Sequence, residues 1–98
     1  HFAFYPPGAF YKIHLDSFQG NANRIISTVT YLNFDWPDDG GGELTIYAPN
    51  EETQNLSIKP KAGTLVVFLS EEIAHEVQIC HYPRMSIAGW FRLVSKRQ

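Results

Sequence analysis

Turn-forming residues break this chain at short intervals, and the segments between the breaks alternate rather than spiral. Helical periodicity is almost absent. The stretch 24–33 is the clearest case. Ile26, Thr28, Thr30 and Leu32 interleave there with Ile25, Ser27, Val29 and Tyr31. A two-residue period rich in β-branched side chains is the pattern of a pleated, half-buried strand. Six further segments read as strands: 10–18, 42–48, 55–59, 64–70, 76–80 and 85–94. The segment 64–70 is apolar on both faces, which predicts a central strand. Between them lie Trp36-Pro37-Asp38-Asp39-Gly40-Gly41-Gly42, Ala48-Pro49-Asn50, Pro60-Lys61-Ala62-Gly63 and His81-Tyr82-Pro83, all built from turn residues. Seven short strands with turns between them predict an all-β domain, an antiparallel sandwich or jelly roll, over residues 1–98.

Composition narrows the function classes. Hydrophobic residues make up 44% and charged residues 18% of the 98, which excludes a disordered chain. A net charge of −2 and a pI near 6.0 leave no basic surface for nucleic acid or an anionic membrane. No apolar run approaches the ~18 residues of a membrane-spanning helix. Cys80 is the single cysteine, so an internal disulfide is impossible and a reducing, cytoplasmic compartment is expected. The chain starts at His1 and runs directly into aromatic, core-like sequence. It is therefore expected to be the later portion of a longer protein. Its oligomeric state is left open.

The chemistry-bearing residues are few. His14-Leu15-Asp16 is an H-x-D triplet, and in a strand both side chains fall on one face about 6.5–7 Å apart. Imidazole plus carboxylate suits a borderline divalent metal such as Fe(II), Mn(II) or Zn(II). His75, after the turn 70–74, is the candidate third ligand, and two histidines with one carboxylate form the facial triad of non-haem iron sites. Arg84-Met85-Ser86 follows across the next turn. The same period aims guanidinium and hydroxyl together, and a guanidinium fork binds a carboxylate bidentately. Tyr31 and Trp90 share the inward parity. Each residue also has a plainer reading: a polar edge for His14 and Asp16, a turn histidine for His75, a surface ion pair for Arg84, core packing for Tyr31 and Trp90.

The order H-x-D, H, R-x-S resembles the 2-oxoglutarate- and Fe(II)-dependent dioxygenases. Flanking blocks resemble their prolyl 4-hydroxylase branch, especially the oxygen-sensing type and its bacterial relatives. They include Tyr5-Pro6-Pro7-Gly8, Tyr11-Lys12-Ile13-His14-Leu15-Asp16, Tyr31-Leu32-Asn33, Gly41-Gly42-Glu43-Leu44, Pro60-Lys61-Ala62-Gly63-Thr64-Leu65, His75-Glu76-Val77 and Ser86-Ile87-Ala88-Gly89-Trp90-Phe91. The resemblance implies a double-stranded β-helix without the family's N-terminal supporting helices. It implies His14, Asp16 and His75 as Fe(II) ligands. It places Arg84 and Tyr31 on the distal carboxylate of 2-oxoglutarate, and Ser86, Tyr11, Tyr5 and Trp90 around the same pocket. It further implies O2 as oxidant, ascorbate as a supporting reductant, and a protein or peptide prolyl substrate with release of succinate and CO2. Oxygenase chemistry on a small molecule and a non-catalytic β-sandwich binding module are the alternatives. A cupin-like site with another metal is a third, but only His1 and His81 remain to supply more ligands.

Overall fold

The structure is a computed structural model that describes residues 1–16, 24–48, 50 and 54–93. Among these, the regular elements are eight strands: β1 (Phe2–Tyr5), β2 (Tyr11–His14), β3 (Arg24–Tyr31), β4 (Leu44–Ile46), β5 (Leu56–Ile58), β6 (Leu65–Phe68), β7 (His75–Val77) and β8 (Arg84–Leu93). They form two four-stranded sheets, ordered β1-β8-β3-β6 and β2-β7-β4-β5. Every strand pairing is antiparallel. The two sheets face each other as the sequence alternation requires. On β3, Ser27 and Tyr31 are buried. On β8, Arg84 and Ser86 are buried while Ile87 and Phe91 are exposed. The core between the layers is small: Tyr31, Leu44 and Val66, flanked by Val29, Ile46, Ile58, Phe68 and Val77.

Two expectations about strands are corrected. β1 was not anticipated, and its Phe2 and Phe4 are exposed rather than core-forming. A four-residue strand ahead of Pro6 and Pro7 is too short for its alternation to be read, and it is specified by pairing with β8 from Phe2↔Ile87 to Tyr5↔Arg84. β6 is an edge strand, not a central one. Its second apolar face, Leu65 at 61% and Val67 at 57% exposure, points outward.

Asn33, just after β3, fastens the site's frame. It is buried, donates from Nδ2 to the carbonyls of Pro60 (2.7 Å) and Met85 (3.0 Å), and accepts from the Met85 amide at 2.7 Å. Met85 sits between Arg84 and Ser86, so this clasp fixes the start of β8 against the end of β3. Tyr31 then lies opposite Ser86.

Candidate metal centre

His14 ends β2 and His75 begins β7, and the two are register partners in the β2-β7-β4-β5 sheet. Their ring centroids lie 4.2 Å apart. Tyr11 lies against the His14 ring at 4.2 Å and the edge of Phe68 against His75 at 4.8 Å. Asp16 falls two residues beyond β2 rather than within a strand, and its amide donates to the Ser70 carbonyl at 2.9 Å. That bond turns the carboxylate back over the two imidazoles.

The histidine tautomers follow from their partners. His14 Nδ1 lies 2.7 Å from the Lys12 carbonyl and His75 Nδ1 2.8 Å from the Ile73 carbonyl. A carbonyl only accepts, so each Nδ1 carries the proton and each Nε2 presents a lone pair. The two Nε2 atoms lie 3.4 and 3.5 Å from the same Asp16 Oδ1. Three acceptor atoms, all within 4.8 Å of one another, therefore converge with no donor between them. Such a cluster is repulsive unless a metal ion sits at its centre or an imidazole takes up a second proton. Ligand atoms held about 2.1 Å from a common first-row ion lie roughly 3 Å apart when cis. Two imidazole nitrogens and one carboxylate oxygen are the donor set of the facial triad, so these residues fit a divalent iron-type ion.

The carboxylate is anchored on its other side. Asp16 Oδ2 accepts from Ser27 Oγ at 3.1 Å and from the Trp90 indole nitrogen at 3.3 Å. Burial alone raises the Asp16 pKa. The Ser70 hydroxyl, the charge of His75 when protonated, and the Ser27 and Trp90 donors outweigh it, so the group titrates below its ordinary value.

The three groups open into a cavity of about 340 Å³ between the sheets, walled by Val29, Leu44, Phe68 and Val77. Arg84 lies in the same cavity, only 3% exposed. Its Nε donates to the Gly42 carbonyl at 2.8 Å, and its guanidinium carbon is 5.1 Å from the centroids of both Tyr5 and Tyr31. Among the described residues no carboxylate pairs with it. The Tyr31 hydroxyl is enclosed without a well-formed hydrogen bond. Burial raises its pKa above 10.0, and the adjacent guanidinium only partly reverses the rise. A buried cation without a counter-charge and an orphaned hydroxyl beside it are both costly, and one carboxylate would satisfy both.

Of the residues singled out from the sequence, His14, Asp16, His75, Arg84, Tyr31, Ser86, Tyr11 and Trp90 all line this one cavity, as does Tyr5. Trp90 stands at its rim, 46% exposed, and its N–H is on Asp16. Ser27, Ser70 and Gly42 were not singled out as site residues. The parity that Ser27 shares with Val29 and Tyr31 was the available signal for Ser27. For Gly42 the signal was the triple glycine. It has φ +70°, and a Cβ there would lie 3.0 Å from Arg84 Cδ, so glycine makes room for the arginine.

Residues 1–92 match the family described as the 2OG-Fe(II) oxygenase superfamily. The chain is 33% identical over 85 residues to Egl nine homolog 1 of Rattus norvegicus, covering 86% of this chain and 25% of that protein. A Pseudomonas putida prolyl-4-hydroxylase superposes with a TM-score of 0.84 at 47% identity, over 94% of this chain and 50% of that one. A Trichoplax adhaerens prolyl hydroxylase, solved with a hypoxia inducible factor oxygen degradation domain peptide fragment, gives 0.77 at 30% identity, over 93% and 41%. The chain thus spans a quarter to a half of the length of these relatives.

Proposed function

Since the chain belongs to the 2-oxoglutarate- and Fe(II)-dependent oxygenase superfamily, we propose that it is the catalytic core of an enzyme hydroxylating a prolyl residue in a protein or peptide. The observation that carries this is the meeting in one cavity of the His14–Asp16–His75 cluster with Arg84 and Tyr31, for which no carboxylate partner stands among the described residues. The prolyl and peptide part draws support from the P. putida and T. adhaerens relatives.

His14 Nε2, Asp16 Oδ1 and His75 Nε2 are the atoms that hold Fe(II) in this reading. Arg84 offers its guanidinium fork, and Tyr31 its hydroxyl, to the distal carboxylate of 2-oxoglutarate. Ser86, buried and opposite Tyr31, lines that end of the cavity. Bound iron supplies the coupling of O2 reduction to cosubstrate decarboxylation, giving succinate, CO2 and one oxygen atom for a C–H bond. The apolar walls Val29, Leu44, Phe68 and Val77 keep water from the reacting end. They also strengthen the Arg84–carboxylate attraction by lowering the local dielectric. Tyr11 and Trp90, half-exposed at the cavity mouth, are placed to meet the peptide. Ascorbate serves only to keep iron reduced.

The test is to incubate the chain with Fe(II), ascorbate, 2-oxoglutarate and proline-containing peptides. The expected result is succinate formation together with a one-oxygen mass gain on proline. Succinate without peptide oxidation would point to a different substrate. No succinate, with Fe(II) and 2-oxoglutarate shown to bind, would refute the catalytic reading.

A further inference from the structure

The two oxygens of Asp16 live in different surroundings. Oδ1 faces both imidazole nitrogens, whereas Oδ2 is turned toward Ser27 and Trp90. Behind Ser27 stands Ser70, fully buried, with the two hydroxyl oxygens 2.5 Å apart. Each hydroxyl has one proton. When Ser70 donates into Ser27, the Ser27 proton is free for Oδ2. When Ser70 turns to the carboxylate itself, it becomes a further donor there. Ser70 also holds Asp16 through its backbone carbonyl. The donors come from β3, β8 and the turn after β6, so the carboxylate is gripped from three elements of the fold.

We infer that Ser27, Ser70 and Trp90 are positioning residues that lock Asp16 as a ligand through Oδ1 alone. This rests on the reading that the triad holds a divalent cation. A carboxylate free to rotate could chelate such an ion through both oxygens and occupy a position that a bidentate 2-oxo acid requires. With Oδ2 engaged by hydroxyl and indole donors, the second oxygen is unavailable. Carboxylate ligands are commonly fixed by such hydrogen-bonding partners, whose loss weakens metal binding about 10–100-fold. The lock therefore acts on two quantities: affinity for the ion, and affinity of the loaded site for 2-oxoglutarate.

The experiment uses metal-free protein and Mn(II) as the probe. Binding is followed by electron paramagnetic resonance, and 2-oxoglutarate binding to the Mn(II)-loaded protein by calorimetry. Trp90→Phe keeps the aromatic ring and deletes only the N–H. Ser27→Ala deletes a hydroxyl in a strand, and Ser27→Thr restores one. The expected result is Mn(II) binding by the parent chain and weakening of about tenfold in Ser27→Ala. Trp90→Phe loses less, the spectrum of the bound ion changes, 2-oxoglutarate binds more weakly than the metal loss explains, and Ser27→Thr recovers. Variants that lose stability in urea yet bind Mn(II) and 2-oxoglutarate like the parent would overturn the lock and leave the triad standing. A parent chain that takes up no Mn(II) would overturn both.

Discussion

At the scale of single residues, the proposed function divides the site into groups that would hold a cation and groups that would meet an anion, and substitutions should separate them too. His75→Ala removes one of three converging acceptors. It is expected to abolish Mn(II) uptake in a titration and, with iron, succinate formation. Arg84→Ala leaves the three ligands untouched. It should raise the 2-oxoglutarate requirement roughly 10- to 150-fold, the equivalent of about 1.5–3 kcal/mol for a charged hydrogen bond, with metal affinity unchanged. Without cosubstrate the sign reverses. Arg84→Met removes a buried charge that no carboxylate among the described residues pairs, so the ligand-free variant should unfold at the same or a higher urea concentration than the parent. Tyr31 carries a pH signature. Burial raises its folded pKa above the ordinary value of 10.0, so the folded state keeps a proton that the unfolded chain surrenders near pH 10. The stability this provides is complete below that pH and is lost as pH climbs through the folded value. Urea midpoints measured from pH 8 upward should fall less steeply in Tyr31→Phe than in the parent.

At the scale of elements, the junction between β3 and β8 sets the register that puts Tyr31 beside Ser86 and Arg84. Asn33→Ala deletes three short hydrogen bonds and strands buried backbone partners. A cost of about 2–4 kcal/mol is expected in denaturant unfolding. Gly42→Ala combines a left-handed backbone, about 1–2 kcal/mol for a non-glycine residue, with pressure on Arg84. It should therefore raise the 2-oxoglutarate requirement as well as lower stability. These dependencies explain what could be read from the chain beforehand. R-x-S was legible because a two-residue period places the pair on one face whatever the sheet order, whereas H-x-D was legible by residue type alone, since Asp16 lies beyond β2 and is brought round by its amide bond to the Ser70 carbonyl. The edge position of β6 was not legible, since a strand's place depends on which partners pair with it and not on its own side chains. The serine contact was equally hidden. Ser27 and Ser70 are 43 residues apart, and nothing local to either marks the other.

At the scale of the whole molecule, the catalytic reading concerns the space between the sheets, but the β1-β8-β3-β6 sheet has a second face. Phe2, Phe4, Leu65, Val67, Ile87 and Phe91 all lie outward on it and exposed, with Thr28 and Thr30 of β3 between the β8 and β6 positions. Leu65→Lys with Val67→Lys should change urea stability by no more than about 0.5 kcal/mol, as exposed positions do. The account as a whole turns on one cation shared by residues from β2, from just beyond it, and from β7. A crystal structure of the chain with Mn(II) and a non-reactive 2-oxoglutarate analogue tests it most directly. The account predicts a single metal peak bonded to His14 Nε2, Asp16 Oδ1 and His75 Nε2, with the analogue's far carboxylate on Arg84 and Tyr31. Metal bound elsewhere, or an analogue that leaves Arg84 and Tyr31 untouched, would contradict it.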